Sequence, residues 1–145
     1  MSHQLQTPQD AHDIVEQFNA FHDGFIQSVT IRSHDHFTAD GPEATDIAHH
    51  TSGAFDVEVE FAHYNYGGRL QPIDRRIRAV FADVQDLHLD LTGHTQEQWP
   101  IINVGFPPAE TGFEFRIMRS RMVDGSWAHT RQTWFRFATA AFTEI

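Results

Sequence analysis

The sequence predicts a single α+β domain, in which one N-terminal amphipathic helix packs on a curved antiparallel sheet of about six to seven strands that could roll towards a barrel. An apolar pattern of helical period precedes residue 24, and patterns close to period two fill most of the chain after it. The length of 145 residues, without an internal repeat or a domain boundary, fits one domain over residues 1–145. One helix followed by many short-linked strands is typical of the α+β class.

The predicted helix has clear signals at both ends. Thr7 can cap it, Pro8 suits its first position, and Asp10 places a negative charge beside the unpaired N–H groups of the first turn. Gly24 can adopt the left-handed conformation that follows a last helical turn. The apolar stripe that should face the sheet consists of Ala11, Ile14, Val15, Phe18, Phe21 and His22.

The helix is expected to end at a polar junction, His22-Asp23. His22 follows Phe18 by four residues on the apolar stripe, so we expect its ring to be at least partly shielded and to need a polar partner. A structural interpretation gives His22 a carbonyl at the helix end and gives Asp23 the N–H groups of the turn. A functional interpretation makes the pair a metal ligand set, or a general base with its orienting acid.

The rest of the chain is predicted to be mostly strand. Turn-forming residues without alternation suggest a long loop at 38–53, and Asp83 to Asp86 suggest a bulge or tight break within a strand. The segment Val123 to Ser126 is typical of a hairpin turn. The predicted strands cover residues 25–37, 54–64, 75–91, 101–104, 113–122 and 127–142.

One predicted strand carries a row of three carboxylates. Asp56, Glu58 and Glu60 alternate with apolar residues and therefore share one face. If the neighbouring strands pair with this one, rows that contain Arg32 and Arg78 could flank the acidic row. Such cross-strand pairs stabilise a sheet by a few tenths to about 1 kcal/mol each.

The histidines offer a second candidate site. His34 and His36 are expected on the same face of the first strand, at a spacing that can chelate a metal, and Glu58 or Glu60 could complete the site. A solvated strand face with cross-strand ion pairs is the structural interpretation of the same residues. No HExxH or similar ligand pattern is present, so we predict neither a metal nor a cofactor.

Composition and motifs exclude several kinds of chemistry. The chain contains no cysteine, which removes disulfides, thiolate nucleophiles and iron–sulfur ligation. All ten basic residues are arginine, so Schiff-base lysines and phosphate-loop lysines are excluded. No serine lies in a Gly-x-Ser-x-Gly elbow, and no glycine-rich phosphate loop is found. These absences favour a binding protein over the common enzyme classes.

Charge and hydropathy restrict the partners. The formal net charge of −10 disfavours nucleic acid and anionic membranes and favours a basic protein partner. No apolar run approaches a membrane span, and the polar N-terminus lacks a signal peptide pattern, so a cytoplasmic location is expected. Trp134 falls on the opposite strand face to Phe135 and Phe137, so a homo-oligomer could form by covering that face.

A segment that covers more than half of the chain resembles known bacterial proteins. A helix, a Phe21-His22-Asp23-Gly24 junction, an alternating strand and the spaced apolar run from Ile77 to Leu89 are similar to small uncharacterised bacterial domain families and to immunity-type proteins of toxin systems. The resemblance covers residues 10–91. It implies an α+β fold, a cytoplasmic bacterial protein and binding rather than catalysis, and it implies no catalytic residue.

Two hypotheses for function follow. The first is a non-enzymatic, immunity-like binding domain, whose acidic face of Asp56, Glu58 and Glu60 meets a basic protein partner. The alternative is a metal-dependent or acid–base enzyme that uses His22 and Asp23 with His34 or His36. The enzyme hypothesis requires these side chains to converge in a concave pocket.

Overall fold

The computed structural model of the protein describes residues 2–22, 24–39, 41, 45–63, 75–89 and 98–145, with the backbone alone in the strand segments 98–103, 118–123 and 126–132. It has one α-helix, α1 (Pro8–Gln17), followed by a short 3₁₀ turn (Asn19–Phe21). The described strands are β1 (Ser2–Leu5), β2 (Phe25–Ser33), β3 (His36–Ala39), β4 (Ile47–His50), β5 (Phe55–His63), β6 (Arg75–His88), β7 (Gln98–Gly105), β8 (Phe113–Val123), β9 (Ser126–Phe137) and β10 (Thr139–Glu144).

Eight of the described strands form one strongly curled antiparallel sheet, and β3 and β4 form a separate two-stranded sheet. The predicted α+β class, with one helix on a curved antiparallel sheet, is confirmed. Strand β6 is central: Ala79 pairs with Val59 of β5 on one edge and with Phe142 of β10 on the other. Beyond β10, the same edge of β6 continues into β9, where Gln85 pairs with Arg136. The chain from β9 to β10 therefore runs beside β6 as one bent ribbon.

Two bulges bend β6 at the predicted break. Asp83 and Asp86 both have positive φ, 54° and 53°. The register of β6 shifts against β5 next to Asp83, and it shifts against β9 between Gln85 and His88. An aspartate tolerates the left-handed conformation better than most residues, which is why these positions can supply the extra residue of a bulge. The bulges increase the local twist and help the sheet to curl.

The core lies between α1 and the concave face of the sheet. It is rich in phenylalanine: Phe81 is fully buried, and its ring centroid lies 4.9 Å from those of Phe115, Phe135 and Phe137. The predicted helix stripe is largely confirmed, because Ala11, Ile14, Phe18 and Phe21 are buried and Val15 packs against the cluster. Burial of each large apolar side chain contributes about 1.5 to 3 kcal/mol.

The helix ends earlier than the apolar spacing predicts, and His22 is consequently exposed. Asn19, Ala20 and Phe21 have φ angles of 49°, 52° and 56°, which form a left-handed turn after α1. This turn carries the ring of Phe21 into the core but directs the next residue to the surface. The expectation that His22 would be shielded is therefore wrong, while Asp23 lies outside the described residues.

Several segments differ from the predicted strand boundaries, among them the last predicted strand, 127–142, which the structure divides into β9 and β10. The first strand ends at Ser33 rather than Phe37, and the expected loop at 38–53 contains β4, which pairs with β3 in a hairpin. The N-terminal residues Ser2–Leu5 form a strand against β10, which is not among the predicted strands. Among the residues that the structure describes, no helix has the length and hydropathy needed to cross a membrane.

Candidate binding surface

The acidic row lies on the outer face of β5. Inner residues such as Val57 and Val59 are buried, so alternation places Asp56, Glu58 and Glu60 on the convex side of the sheet. The pairing register sets Glu60 beside Arg78 of β6 and sets Asp56 beside Arg32 of β2. The predicted neighbours of the acidic row are thus confirmed.

Arg78 forms ion pairs with two of the three acids in this row, Glu58 and Glu60. Its Nη2 donates to Glu60 Oε1 at 3.0 Å, and its Nε lies 3.2 Å from Glu58 Oε1. Ser28 Oγ also donates to Glu60, at 3.3 Å. The hydrogen bond from Arg78 lowers the pKa of Glu60, and the bond from Ser28 adds to this effect, whereas desolvation raises it. One guanidinium therefore serves two carboxylates, and these acids form a local network more than an open negative surface.

His34 lies at the Asp56 end of the row, between the two aspartates Asp56 and Asp83. Its Nε2 lies 3.0 Å from Asp56 Oδ1, and its Nδ1 lies 3.7 Å from Asp83 Oδ1. The bulge in β6 brings Asp83 to this position, because the extra residue directs its side chain to the outer face. Both ring nitrogens of His34 thus face carboxylates, and the imidazole links β5 to β6.

A cavity of about 180 Å³ opens beside Asp83. We call it the Asp83 cavity. Two carboxylates line it, Asp83 and Glu110, together with the polar side chains of Gln85 and Thr111. Its other lining residues are Arg136, Phe137 and Ala138. The guanidinium of Arg136 lies 3.5 Å from the carboxylate of Asp86, a residue that does not line the cavity. Part of the positive charge of Arg136 is therefore directed to Asp86.

A second, smaller cavity of about 150 Å³ opens beside Asp56. Asp56 and Glu58 line it together with Arg32 and Thr30. Asp56 borders this cavity and Asp83 borders the first, and His34 contacts both aspartates. The histidine therefore contacts one lining residue of each cavity.

The other predicted site residues are not gathered here. His22 is exposed after the left-handed turn, and His36 belongs to the β3–β4 hairpin, where its ring stacks on His50. His34 and His36 have different partners because β2 ends at Ser33, His34 lies in the connection that follows, and His36 begins the next strand, β3. Among the described residues, no group of three or more histidine and acidic side chains is placed to hold a metal ion.

One further histidine, His63, has a structural position in the core. It is 2% exposed, and its Nε2 lies 2.7 Å from the carbonyl oxygen of Phe18. Because a carbonyl can only accept, the proton in this bond is on Nε2. Gly24 leaves room for this ring, since a Cβ there would lie 3.3 Å from His63 Nδ1 and 3.0 Å from the Phe21 carbonyl oxygen. The contact ties the end of α1 to β5.

Local sequence patterns contain no signal for most of the residues that line the Asp83 cavity. The break at 83–86 could be predicted, but its aspartates could not be assigned to a surface. Glu110 and Thr111 lie in a connection between β7 and β8 that reaches Asp83 only through the pairing of β6, β9 and β8. Long-range register of this kind is not visible in local patterns.

Comparisons with protein-family models, with curated proteins and with solved structures return no match to this chain. The resemblance to bacterial immunity-type proteins stays a prediction from the sequence.

Proposed function

We propose that this protein is a non-enzymatic, cytoplasmic binding domain of bacterial type, which meets a basic protein partner through the outer face of its sheet, as an immunity protein would. The partner would place an arginine side chain in the Asp83 cavity. The observation that carries this proposal is the pair of carboxylates, Asp83 and Glu110, that line one cavity.

The chemistry of the lining suits a guanidinium group. Carboxylate oxygens accept its N–H groups in pairs, and these charge-assisted bonds are stronger than neutral ones. Asp83 is 62% exposed, so it can reach an incoming cation. The side chains of Gln85 and Thr111 supply further acceptors at the same cavity.

The ion pairs on this face indicate which acids should contribute most to binding of the partner. Glu58 and Glu60 already share Arg78, so a partner would gain less from them than an isolated acidic strand would offer. Asp56 remains beside the second cavity and faces a histidine. We therefore place the centre of the surface at Asp56 and Asp83, with Glu110 at its edge.

The overall charge supports fast association. A formal charge of −10 produces a negative potential around the molecule, which steers a basic partner towards it and makes the association rate fall as salt is added. Nucleic acid, a polyanion, is not the proposed partner.

The alternative of an acid–base enzyme has less support from this geometry. A general base needs a free nitrogen aimed at its substrate, whereas both ring nitrogens of His34 face aspartates. His22 and His36 lie in other surroundings. Among the described side chains, no group of three or more histidine and acidic residues is placed to hold the metal ion of a metal-dependent enzyme.

The test uses small probes of the proposed cation. Backbone amide signals of the ¹⁵N-labelled protein are followed while N-acetyl-arginine amide is added, and N-acetyl-citrulline amide serves as the neutral analogue. We expect saturable shifts at Asp83, Gln85 and Thr111 with arginine and none with citrulline.

Variants of the cavity residues show which carboxylates bind the arginine probe. Asp83→Asn keeps a residue that tolerates the left-handed backbone at this bulge, and Glu110→Gln keeps the shape of its side chain. Each should weaken arginine binding, while Glu16→Gln on α1 makes the same change in net charge and should leave it unaltered. Equal binding of citrulline, or equal effects of all three variants, would remove the basis of the proposal.

A further inference from the structure

The backbone that carries His34 is held against the chain that leads into β5. The N–H of His34 donates to the carbonyl oxygen of Ala54 at 3.1 Å. The next residue, Asp35, accepts the N–H groups of Ser52 and Gly53 at 2.8 and 3.3 Å. These bonds join the chain before β3 to the chain after β4. The imidazole of His34 is therefore attached to a backbone with a fixed position beside the acidic row.

The charged and titratable side chains around this imidazole come from the neighbouring strands and from the connection itself. They are Arg32 of β2, Asp35, Asp56 of β5 and Asp83 of β6, and His36 of β3 approaches the backbone carbonyl of His34 at 3.0 Å. Arg32 pairs in register with Asp56, and Asp35 is bonded to backbone N–H groups. Among the side chains that the structure describes, His34 is the only ion-pair partner of Asp83.

The charge of His34 decides whether its two contacts are ion pairs. Its Nε2 lies 3.0 Å from Asp56 Oδ1, and its Nδ1 lies 3.7 Å from Asp83 Oδ1. A neutral imidazole has no net charge that attracts a carboxylate, whereas an imidazolium has two N–H groups and a full positive charge. The side chain of His34 is 32% exposed, so it can exchange protons with solvent. Histidine is the side chain that ordinarily changes its charge between about pH 5 and pH 8.

We propose that protonation of His34 captures the Asp83 carboxylate and thereby closes the Asp83 cavity to a cationic side chain. The imidazolium and a guanidinium in the cavity are cations that use the same carboxylate. Each therefore weakens the binding of the other, and the effect is reciprocal. Affinity for an arginine side chain should be highest when His34 is neutral and should fall as the pH is lowered. This consequence for arginine rests on the proposed function, whereas the capture of Asp83 does not.

The capture of Asp83 is measured first, without any ligand. The ¹³Cγ signal of the Asp83 carboxylate is assigned by its loss in Asp83→Asn and is followed from about pH 5.5 to about pH 8. This range covers the ordinary titration of histidine and lies above that of carboxyl groups. We expect a step in the signal that coincides with the titration of the His34 ring. The step should be absent in His34→Gln, which keeps a polar side chain that does not titrate.

His12→Gln on α1 is the matched control. The ring of His12 also lies near two carboxylates, 3.7 Å from Asp13 and 3.6 Å from Glu16, so this variant removes a histidine with similar contacts. It should keep the step at Asp83. An amide spectrum like that of the wild type shows that each variant is folded.

The effect on the cavity is measured with N-acetyl-arginine amide at the two ends of this pH range. The wild-type affinity should be at least about fivefold weaker at the acidic end, a factor typical of two ligands that oppose each other. In His34→Gln the two affinities should agree within about twofold. His12→Gln should show the same pH dependence as the wild type.

Three results would overturn the proposal: no step at Asp83 in the wild type, a step that persists in His34→Gln, or arginine binding of equal affinity at both ends of the pH range. A step at Asp83 without arginine binding at either pH has a different meaning. It would contradict the proposed function of the cavity and would support the capture of Asp83 by His34.

Discussion

Strand β5 and the strands of the β3–β4 hairpin are all paired in antiparallel ladders, but their environments are opposite. In β5 every second side chain is buried, from Val57 to His63, and the three acids on the outer face form ion pairs. In the hairpin both faces are exposed, so that Phe37 is 72% and Ile47 is 60% accessible. Alternation therefore specifies two faces of a strand, but burial depends on whether another element covers one of them.

The largest expected difference between these regions comes from removing a phenyl ring. Phe81→Ala should lower the free energy of unfolding by about 3 to 5 kcal/mol, because it leaves a cavity among the core rings. Phe37→Ala should change it by no more than about 0.5 kcal/mol, since that ring is exposed. Urea denaturation measures both values. Similar losses in the two variants would show that the hairpin packs on the body.

Two glycines of positive φ provide a second comparison. A Cβ on Gly112, which precedes β8, would lie 2.2 Å from the carbonyl oxygen of Phe137, whereas a Cβ on Gly53, after the hairpin, would meet no atom within 4 Å. Both positions have left-handed backbones, with φ of 73° and 69°. Gly112→Ala should therefore cost about 1 to 3 kcal/mol more than Gly53→Ala in the same denaturation experiment. Equal costs would mean that φ alone decides the effect.

Asp35 is expected to stabilise the hairpin without stabilising the body. Asp35→Ala removes the acceptor of two backbone N–H groups and should weaken the hairpin base by about 1 kcal/mol. Hydrogen exchange should become faster at Ser52 and Gly53 and in β3 and β4. Exchange in β5 is the internal control and should not change. Faster exchange throughout the sheet would contradict independent opening of the hairpin.

The smallest effect on stability is expected from Glu60, on the outer face of β5, and it depends on pH. The pKa of Glu60 is lowered in the folded protein, chiefly by its hydrogen bond from Arg78. The ionised carboxylate therefore stabilises the fold above the usual glutamate range, and this contribution is lost as the pH falls through the lowered folded pKa. Glu60→Gln should show a smaller loss of stability between pH 6 and about pH 3.

The control for this pH effect is Glu16→Gln on α1. It removes one carboxylate from an exposed position and should keep the wild-type pH dependence. If Glu60→Gln and the wild type lose stability equally as the pH falls, Arg78 does not stabilise the ionised form of Glu60.

Local sequence patterns predicted the acidic row of the candidate surface but not the contact between His34 and Asp83. The acidic row and its contact with Arg78 followed from alternation and from the pairing of neighbouring strands. The contact of His34 with Asp83 did not, because it depends on a bulge that changes the direction of one side chain. His22 was misplaced for a similar reason, since three residues with positive φ turn the chain after α1.

The sequence by itself determined the fold class of this protein, the capped start of its helix and the inward face of β5. These properties depend on residue spacing and on short-range hydrogen bonds, such as the one from the Asp10 N–H to Thr7. The tertiary structure alone decided that Asp83 and Glu110 meet at one cavity and that the hairpin stands uncovered. Residues distant in the chain become neighbours only through strand register and curvature, and a local sequence pattern contains neither.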